Sequence, residues 1–117
     1  MTRVLVLDDD VTVADLIRIV LEDAGYDVAA SHSASELPDG PFACVVTDLM
    51  TIVLYDTEAA REYLLRLGER YPQVPLIVVT GHGGALRDKD RLGVRRVIVK
   101  PFDVDRLVRA VGEAITS

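Results

Sequence analysis

Three consecutive aspartates, Asp8-Asp9-Asp10, follow directly on the apolar run Val4-Leu5-Val6-Leu7. Three further polar groups hold the same kind of position: Thr47-Asp48, Thr80-Gly81 and Lys100-Pro101 each close a short apolar segment. Brought to one point, these carboxylates, hydroxyl and ammonium make a receptor for a cation and a phosphoryl group. Two carboxylates ~5 Å apart repel by about 3 kcal/mol at an effective dielectric of about 20, and a third from Asp48 adds similar repulsions. A divalent cation or an ammonium must offset this, or one carboxylate must keep a proton. Mg²⁺ suits the set, since it takes few carboxylates and completes an octahedron with water and phosphate oxygens. Lys100 adds a fixed positive charge. A helix cap explains Asp10 alone, but gives no reason for acids at Asp8 and Asp9.

Asp48 is the candidate nucleophile. A carboxylate that attacks a phosphoryl group forms an acyl phosphate and divides one difficult transfer into two easier ones. In-line transfer asks the protein for positioning and for neutralisation of the equatorial oxygens. The cation and Lys100 supply charge, Thr80 a hydroxyl, and loop N–H groups near Met50 and Gly81 further donors. Glycine at position 81 also allows close backbone approach.

These groups meet only if the segments before them are parallel strands of one sheet. Arg3 to Leu7, Asp27 to Ala30, Phe42 to Thr47, Pro75 onward and Arg96 to Val99 read as strands, short and mostly apolar and branched. Between them, Val13, Ile17, Val20, Leu21 and Ala24 recur at helical spacing, with Asp10 or Thr12 to cap the start and Gly25 to end the helix. Ser33 to Leu37 is at most a short helix before the turn Pro38-Asp39-Gly40-Pro41. Asp56 or Thr57 opens a helix carrying Ala60, Tyr63, Leu64 and Leu67, which stops before Pro72. Ala85 to Leu92 predicts a charged helix closed by Gly93, and Asp103 caps a last one with Val104, Leu107, Val108, Val111 and Ile115 on one face. Five strands alternating with five helices predict an α/β fold with a five-stranded parallel sheet covered on both faces, as a single domain over 1–117. Ligands of such sheets gather at the carboxyl ends of the strands.

Composition sets the outer limits. The 117 residues are half apolar, enough for a real core, and a net charge of −6 disfavours direct binding of nucleic acid. The mixed signs of Arg87-Asp88-Lys89-Asp90-Arg91 and Arg95-Arg96 read as a solvated face. The first apolar run is far too short for a signal peptide or a membrane span, and Cys44, alone inside a strand, reads as a buried thiol. A reducing cytoplasm is the expected setting. His32 reads as a solvated loop residue and His82 as a residue at the rim of the site.

Taken in order, VLVLDDD at 4–10, VVTD at 45–48, VVTG at 78–81 and VIVKP at 97–101 resemble the receiver domain of two-component response regulators, over essentially the whole chain. The resemblance implies the strand order 2-1-3-4-5, Asp8 and Asp9 as the acidic pair, with Asp9 the closer Mg²⁺ ligand, and Asp48 as phosphoacceptor. It implies the Met50 carbonyl on the metal, Thr80 as switch hydroxyl, and Lys100 as the phosphate-binding lysine before a cis Pro101. The phosphodonor would be a sensor histidine kinase, a phosphotransfer protein or a small acyl phosphate, and the output a change in binding to a downstream protein target. Dimerisation through an exposed helix face is left open, as is whether the domain acts alone by docking or belongs to a longer chain.

Three positions depart from the family pattern. Ile52 stands where such domains usually carry proline, Asp56 where they carry glycine, and Val97 where they carry the aromatic ring that follows the threonine inward. Valine is stiff and small and cannot repeat that motion. The apolar stretch Thr51 to Tyr55 is expected to pack inward, with a docking patch as the alternative. A phosphorylation-dependent switch is therefore the leading reading. A receiver-like adaptor without a working phosphorylation cycle comes second. A small aspartyl-phosphate phosphatase comes last, since Met50 holds the place of its usual second aspartate and no cap domain encloses a substrate.

Overall fold

Alternation of side chains along the strands builds two separate cores. The computed structural model describes residues 2–116. Strands β1 (Arg3–Leu7), β2 (Asp27–Ser31), β3 (Cys44–Thr47), β4 (Leu76–Thr80) and β5 (Arg96–Val99) are all parallel, in the order β2-β1-β3-β4-β5. Val4, Val6, Cys44, Val46, Ile77, Val79 and Ile98 face one side. There they meet Ala14, Ile17 and Leu21 of α1 (Val11–Asp23) and Leu107, Ala110, Val111 and Ala114 of α5 (Val104–Thr116). Leu5, Leu7, Val45, Val78 and Val97 point the other way, against Ala60, Leu64 and Leu67 of α2 (Thr57–Arg70) and against Ala85 and Leu92. A period of two along each strand produces this division.

The caps follow the sequence. The Asp10 carboxylate accepts from the N–H groups of Thr12 (3.0 Å) and Val13 (3.3 Å), and that of Asp56 from Ala59 (3.0 Å). Asp103 accepts from the Asp105 N–H at 2.9 Å. Gly25, at φ +102°, turns the chain after α1. Cys44 is buried, and burial pushes its thiol up to about 12.

Five helices are present among the described residues, but not distributed as expected. Ser33 to Leu37 forms no helix; the stretch from 32 to 43 is irregular. Pro38 bars helix at the residue before it, and the chain is held by side chains instead. The Tyr71 hydroxyl donates to the Pro38 carbonyl (2.6 Å), Arg70 pairs with Asp39, and the Phe42 ring meets Tyr71 edge-on at 5.6 Å. β3 begins at Cys44 rather than Phe42, whose ring is instead drawn into this contact. The single helix expected over Ala85–Leu92 is two short ones, α3 (Gly84–Arg87) and α4 (Lys89–Leu92). They break at Asp88, whose carboxylate accepts from the Tyr55 hydroxyl (2.7 Å) in the loop after β3 and from the Thr57 hydroxyl (2.6 Å) at the start of α2. Asp88 itself sits at φ −97° and ψ 9°, off helical geometry.

If side-chain bonds stand in for the missing helix, Tyr71→Phe costs about 1 kcal/mol in urea unfolding. It also speeds amide exchange over residues 36–42, leaving α2 as protected as before.

Candidate functional site

Strand register brings the predicted residues together. Leu7 pairs with Thr47 across β1 and β3, so the next residues, Asp8 and Asp48, emerge side by side; the Asp48 N–H donates to the Leu7 carbonyl at 2.8 Å. Thr80 pairs with Val99, which sets Lys100 at the same edge, its N–H on the Thr80 carbonyl at 2.8 Å. The lysine side chain then crosses to the acids: Nζ lies 3.0 Å from Asp8 Oδ2 and 3.5 Å from Asp48 Oδ2. The peptide bond between Lys100 and Pro101 is cis.

Asp8 is 1 % exposed. Burial pushes its carboxyl above the usual range, and the Asp10 N–H at 2.9 Å and Lys100 pull it back without cancelling the rise. Burial also works against charge on Lys100, but is outweighed by its bond to Asp8 and the charge of Asp48, so the ammonium is held above its ordinary value. Asp9 is exposed, and carboxylate oxygens of Asp8, Asp9 and Asp48 all lie within 4.8 Å of one another. Octahedral ligands about 2.1 Å from an ion sit about 3–4 Å apart. Three hard oxygen donors at this spacing, with one ammonium against three acids, fit a divalent cation.

Thr80 is fully buried and its Oγ1 accepts from the His82 N–H at 3.0 Å. His82 is more than a rim residue: its Nε2 lies 3.0 Å from the Ile52 carbonyl, tying the loop after β4 to the loop after β3. Gly81 is exposed, and a Cβ there would meet nothing within 4 Å. Met50 is buried beneath the site, and Val97 is buried among aliphatic side chains. His32 is exposed as expected, yet its Nδ1 bonds the Asp8 carbonyl at 3.1 Å. The apolar stretch after Asp48 divides: Ile52 and Tyr55 pack against the core, whereas Val53 and Leu54 are 87 % and 85 % exposed. The inward expectation therefore fails for those two residues, because the turn at Thr51 (φ +77°) aims them outward.

Sequence reasoning missed three participants. Tyr63 reaches from α2 to the Thr47 hydroxyl at 2.8 Å, and burial pushes its phenol up to about 12. Tyr55 and Asp88 join the two loops; the Thr57 and Tyr55 hydrogen bonds hold the Asp88 carboxyl below its usual value. Each link spans fifteen residues or more of chain, so no local pattern announces it.

A parallel five-stranded sheet with this acidic cluster and lysine at its carboxyl edge defines a receiver fold. The family model described as the response regulator receiver domain matches residues 4–112, and the chain belongs to that family. Its relatives include the DNA-binding transcriptional regulator NtrC of Bradyrhizobium sp. (strain RP501 Parasponia), 31 % identical over 96 % of this chain and 24 % of that protein. The nitrogen assimilation regulatory protein NtrX of Azorhizobium caulinodans is 30 % identical over 90 % of this chain and 24 % of its own length. This chain thus spans about a quarter of the length of those curated relatives. Among solved structures, full-length FixJ from B. japonicum superposes with a TM-score of 0.80 at 30 % identity, over 98 % of this chain and 58 % of FixJ. A receiver domain protein from Clostridium thermocellum gives 0.77 at 25 % identity, over 99 % and 95 %.

The raised carboxyl of Asp8 has a consequence for the metal-free protein. Above the ordinary carboxylate value the folded state holds a proton that the unfolded chain has released, so stability falls as pH rises through this interval. Asp8→Asn removes that dependence and raises metal-free stability at neutral pH by about 1 kcal/mol, a shift of a few degrees in Tm. Thermal melts of both proteins across the acidic range check this.

Proposed function

We propose that the domain is a phosphorylation-dependent switch in which Asp48 accepts a phosphoryl group with Mg²⁺ held by Asp8, Asp9, Asp48 and the Met50 carbonyl. The observation that carries this reading is Lys100 Nζ standing within 3.5 Å of both Asp8 and Asp48. One ammonium then serves two states, offsetting carboxylates at rest and an equatorial phosphoryl oxygen after transfer. An Asp48 oxygen attacks phosphorus; the P–N bond of a donor phosphohistidine breaks, and the leaving imidazole takes up a proton. With an acyl phosphate donor the P–O bond breaks and a carboxylate leaves. Mg²⁺ supplies charge neutralisation at the transferring oxygens. Water later attacks the same phosphorus, the bond from phosphorus to the Asp48 oxygen breaks, and inorganic phosphate leaves with the carboxylate restored. The domain is thus a signalling element whose chemistry is confined to its own phosphorylation and dephosphorylation.

The partners of this reading are a sensor histidine kinase or phosphotransfer protein and a downstream protein target, in a cytoplasmic setting. Among the described residues no helix is long and apolar enough to cross a membrane. For output, Thr80 must turn its hydroxyl toward the phosphoryl group. That turn takes away the acceptor of the His82 N–H and loosens the contact of His82 with Ile52. Tyr55, whose ring fills the space over Gly84 and whose hydroxyl bonds Asp88, then carries the change to α3 and α4. Val97 has no ring to do so. The adaptor reading draws on that valine and on Ile52, and predicts partner binding without phosphorylation.

Incubation with acetyl phosphate or phosphoramidate and Mg²⁺, read by intact mass, decides between them. One added phosphoryl group is expected, absent in Asp48→Asn; no gain under any donor overturns the switch and leaves the adaptor. Lys100→Ala is expected to keep the fold while losing most of the phosphorylation-induced change in amide exchange; a normal response refutes its role. Tyr55→Phe should be phosphorylated at the wild-type rate but transmit less of that change to residues 84–92. An undiminished response there shows that the signal leaves by another route.

A further inference from the structure

We infer that Tyr63 is a positioning residue for the phosphoacceptor, orienting the Asp48 carboxylate through the Thr47 hydroxyl and the peptide group that joins Asp48 to Leu49. The inference rests on the reading of Asp48 as the residue that is phosphorylated.

Thr47 lies on the face of β3 that α2 covers and is fully buried. A hydroxyl in that layer needs partners, since an unmet one costs about 1–3 kcal/mol. Its Oγ1 donates to the Asp48 carbonyl at 2.7 Å and lies 2.8 Å from the Tyr63 hydroxyl. A threonine hydroxyl has one proton, and a carbonyl only accepts. The proton therefore points at Asp48, and Tyr63 must donate in the second bond. Direction is fixed along the whole chain, from phenol to threonine to carbonyl.

That carbonyl shares a peptide plane with the Leu49 N–H, which donates to Asp48 Oδ1 at 2.8 Å. Turning the plane moves the donor that holds one carboxylate oxygen, while Lys100 stands by the other at 3.5 Å. The phenol on α2 thus sets the attitude of the reactive group without touching it. The loop needs such a hold. Thr51, a β-branched residue at φ +77°, is strained by about 1–3 kcal/mol, and Ile52 stands where a proline would stiffen the turn. The Ile52 N–H to the Leu49 carbonyl, at 3.3 Å, is a weak closure.

Tyr63→Phe keeps the ring and removes the hydroxyl, which donates to Thr47 and also accepts from the Met50 backbone N–H. Expected results are a retained fold, Leu49 amide exchange about tenfold faster in the metal-free protein, and a phosphorylation rate at saturating donor roughly tenfold lower with little change in the donor concentration at half-maximal rate. Thr47→Val should reproduce the defect, Thr47→Ser should escape it, and the Tyr63→Phe/Thr47→Val pair should be no worse than either alone. Wild-type exchange at Leu49 and a wild-type rate in Tyr63→Phe overturn the inference, as does additivity in the pair. If Tyr63→Phe fails to fold, the contrast between Thr47→Val and Thr47→Ser decides. Should the wild type accept no phosphoryl group, the reading of Asp48 falls, while exchange at Leu49 still judges the role of Tyr63.

Discussion

The molecule is organised around a charge imbalance that one lysine only partly relieves. Three acids share a space in which one oxygen from each lies within 4.8 Å of the others, and Lys100 answers two of them. Asp8 cannot swing away, because it is buried and its Oδ1 is engaged by the Asp10 N–H. The remaining negative charge favours a divalent cation, and in the proposed switch that cation would in turn offset the charge of a phosphoryl group. A fully neutralised site would be more stable and would bind neither.

Register is the means by which the fold sustains that imbalance. A parallel sheet delivers every strand's carboxyl end to one edge, and a slip of one residue between β1 and β3 would send Asp8 and Asp48 to different partners. The two apolar layers prevent the slip, since it would also exchange Val4 and Val6 for Leu5 and Leu7 on each face. Burial energy thereby fixes the geometry of a polar site with which it shares almost no atoms.

This explains what could be read from the chain. Strands, caps and the ends of strands are local patterns, so Asp8, Asp9, Asp48, Thr80 and Lys100 were visible as a set before any coordinates. The irregular path from 32 to 43 was less legible because Ser33 to Leu37 has weak helical periodicity, and Pro38 at its end decides against it only in concert with Tyr71 and Arg70. The break at Asp88 was not legible. The hydroxyls that hold the Asp88 carboxylate, on Tyr55 and Thr57, lie some thirty residues away. The same holds for Tyr63, which at helical spacing with Ala60, Leu64 and Leu67 looks like one more core residue until its hydroxyl is placed.

The departures from the family pattern become coherent when set beside these distant contacts. Asp56, at the family's glycine position, caps α2 through the Ala59 N–H and so fixes where the helix that carries Tyr63 begins. Ile52, at the proline position, gives up ring stiffness but packs against the core and offers its carbonyl to His82. Val97 closes the aliphatic layer, and the Tyr55 ring lies 6.1 Å from the ring of His82 in the loop after β4. On the proposed reading, a phenol bond takes the place of the proline's stiffness, and Tyr55 in the loop after β3 takes the place of the ring that β5 lacks. On that reading, substitutions that look like losses one at a time redistribute the same two tasks, holding the carboxylate and reporting on the hydroxyl.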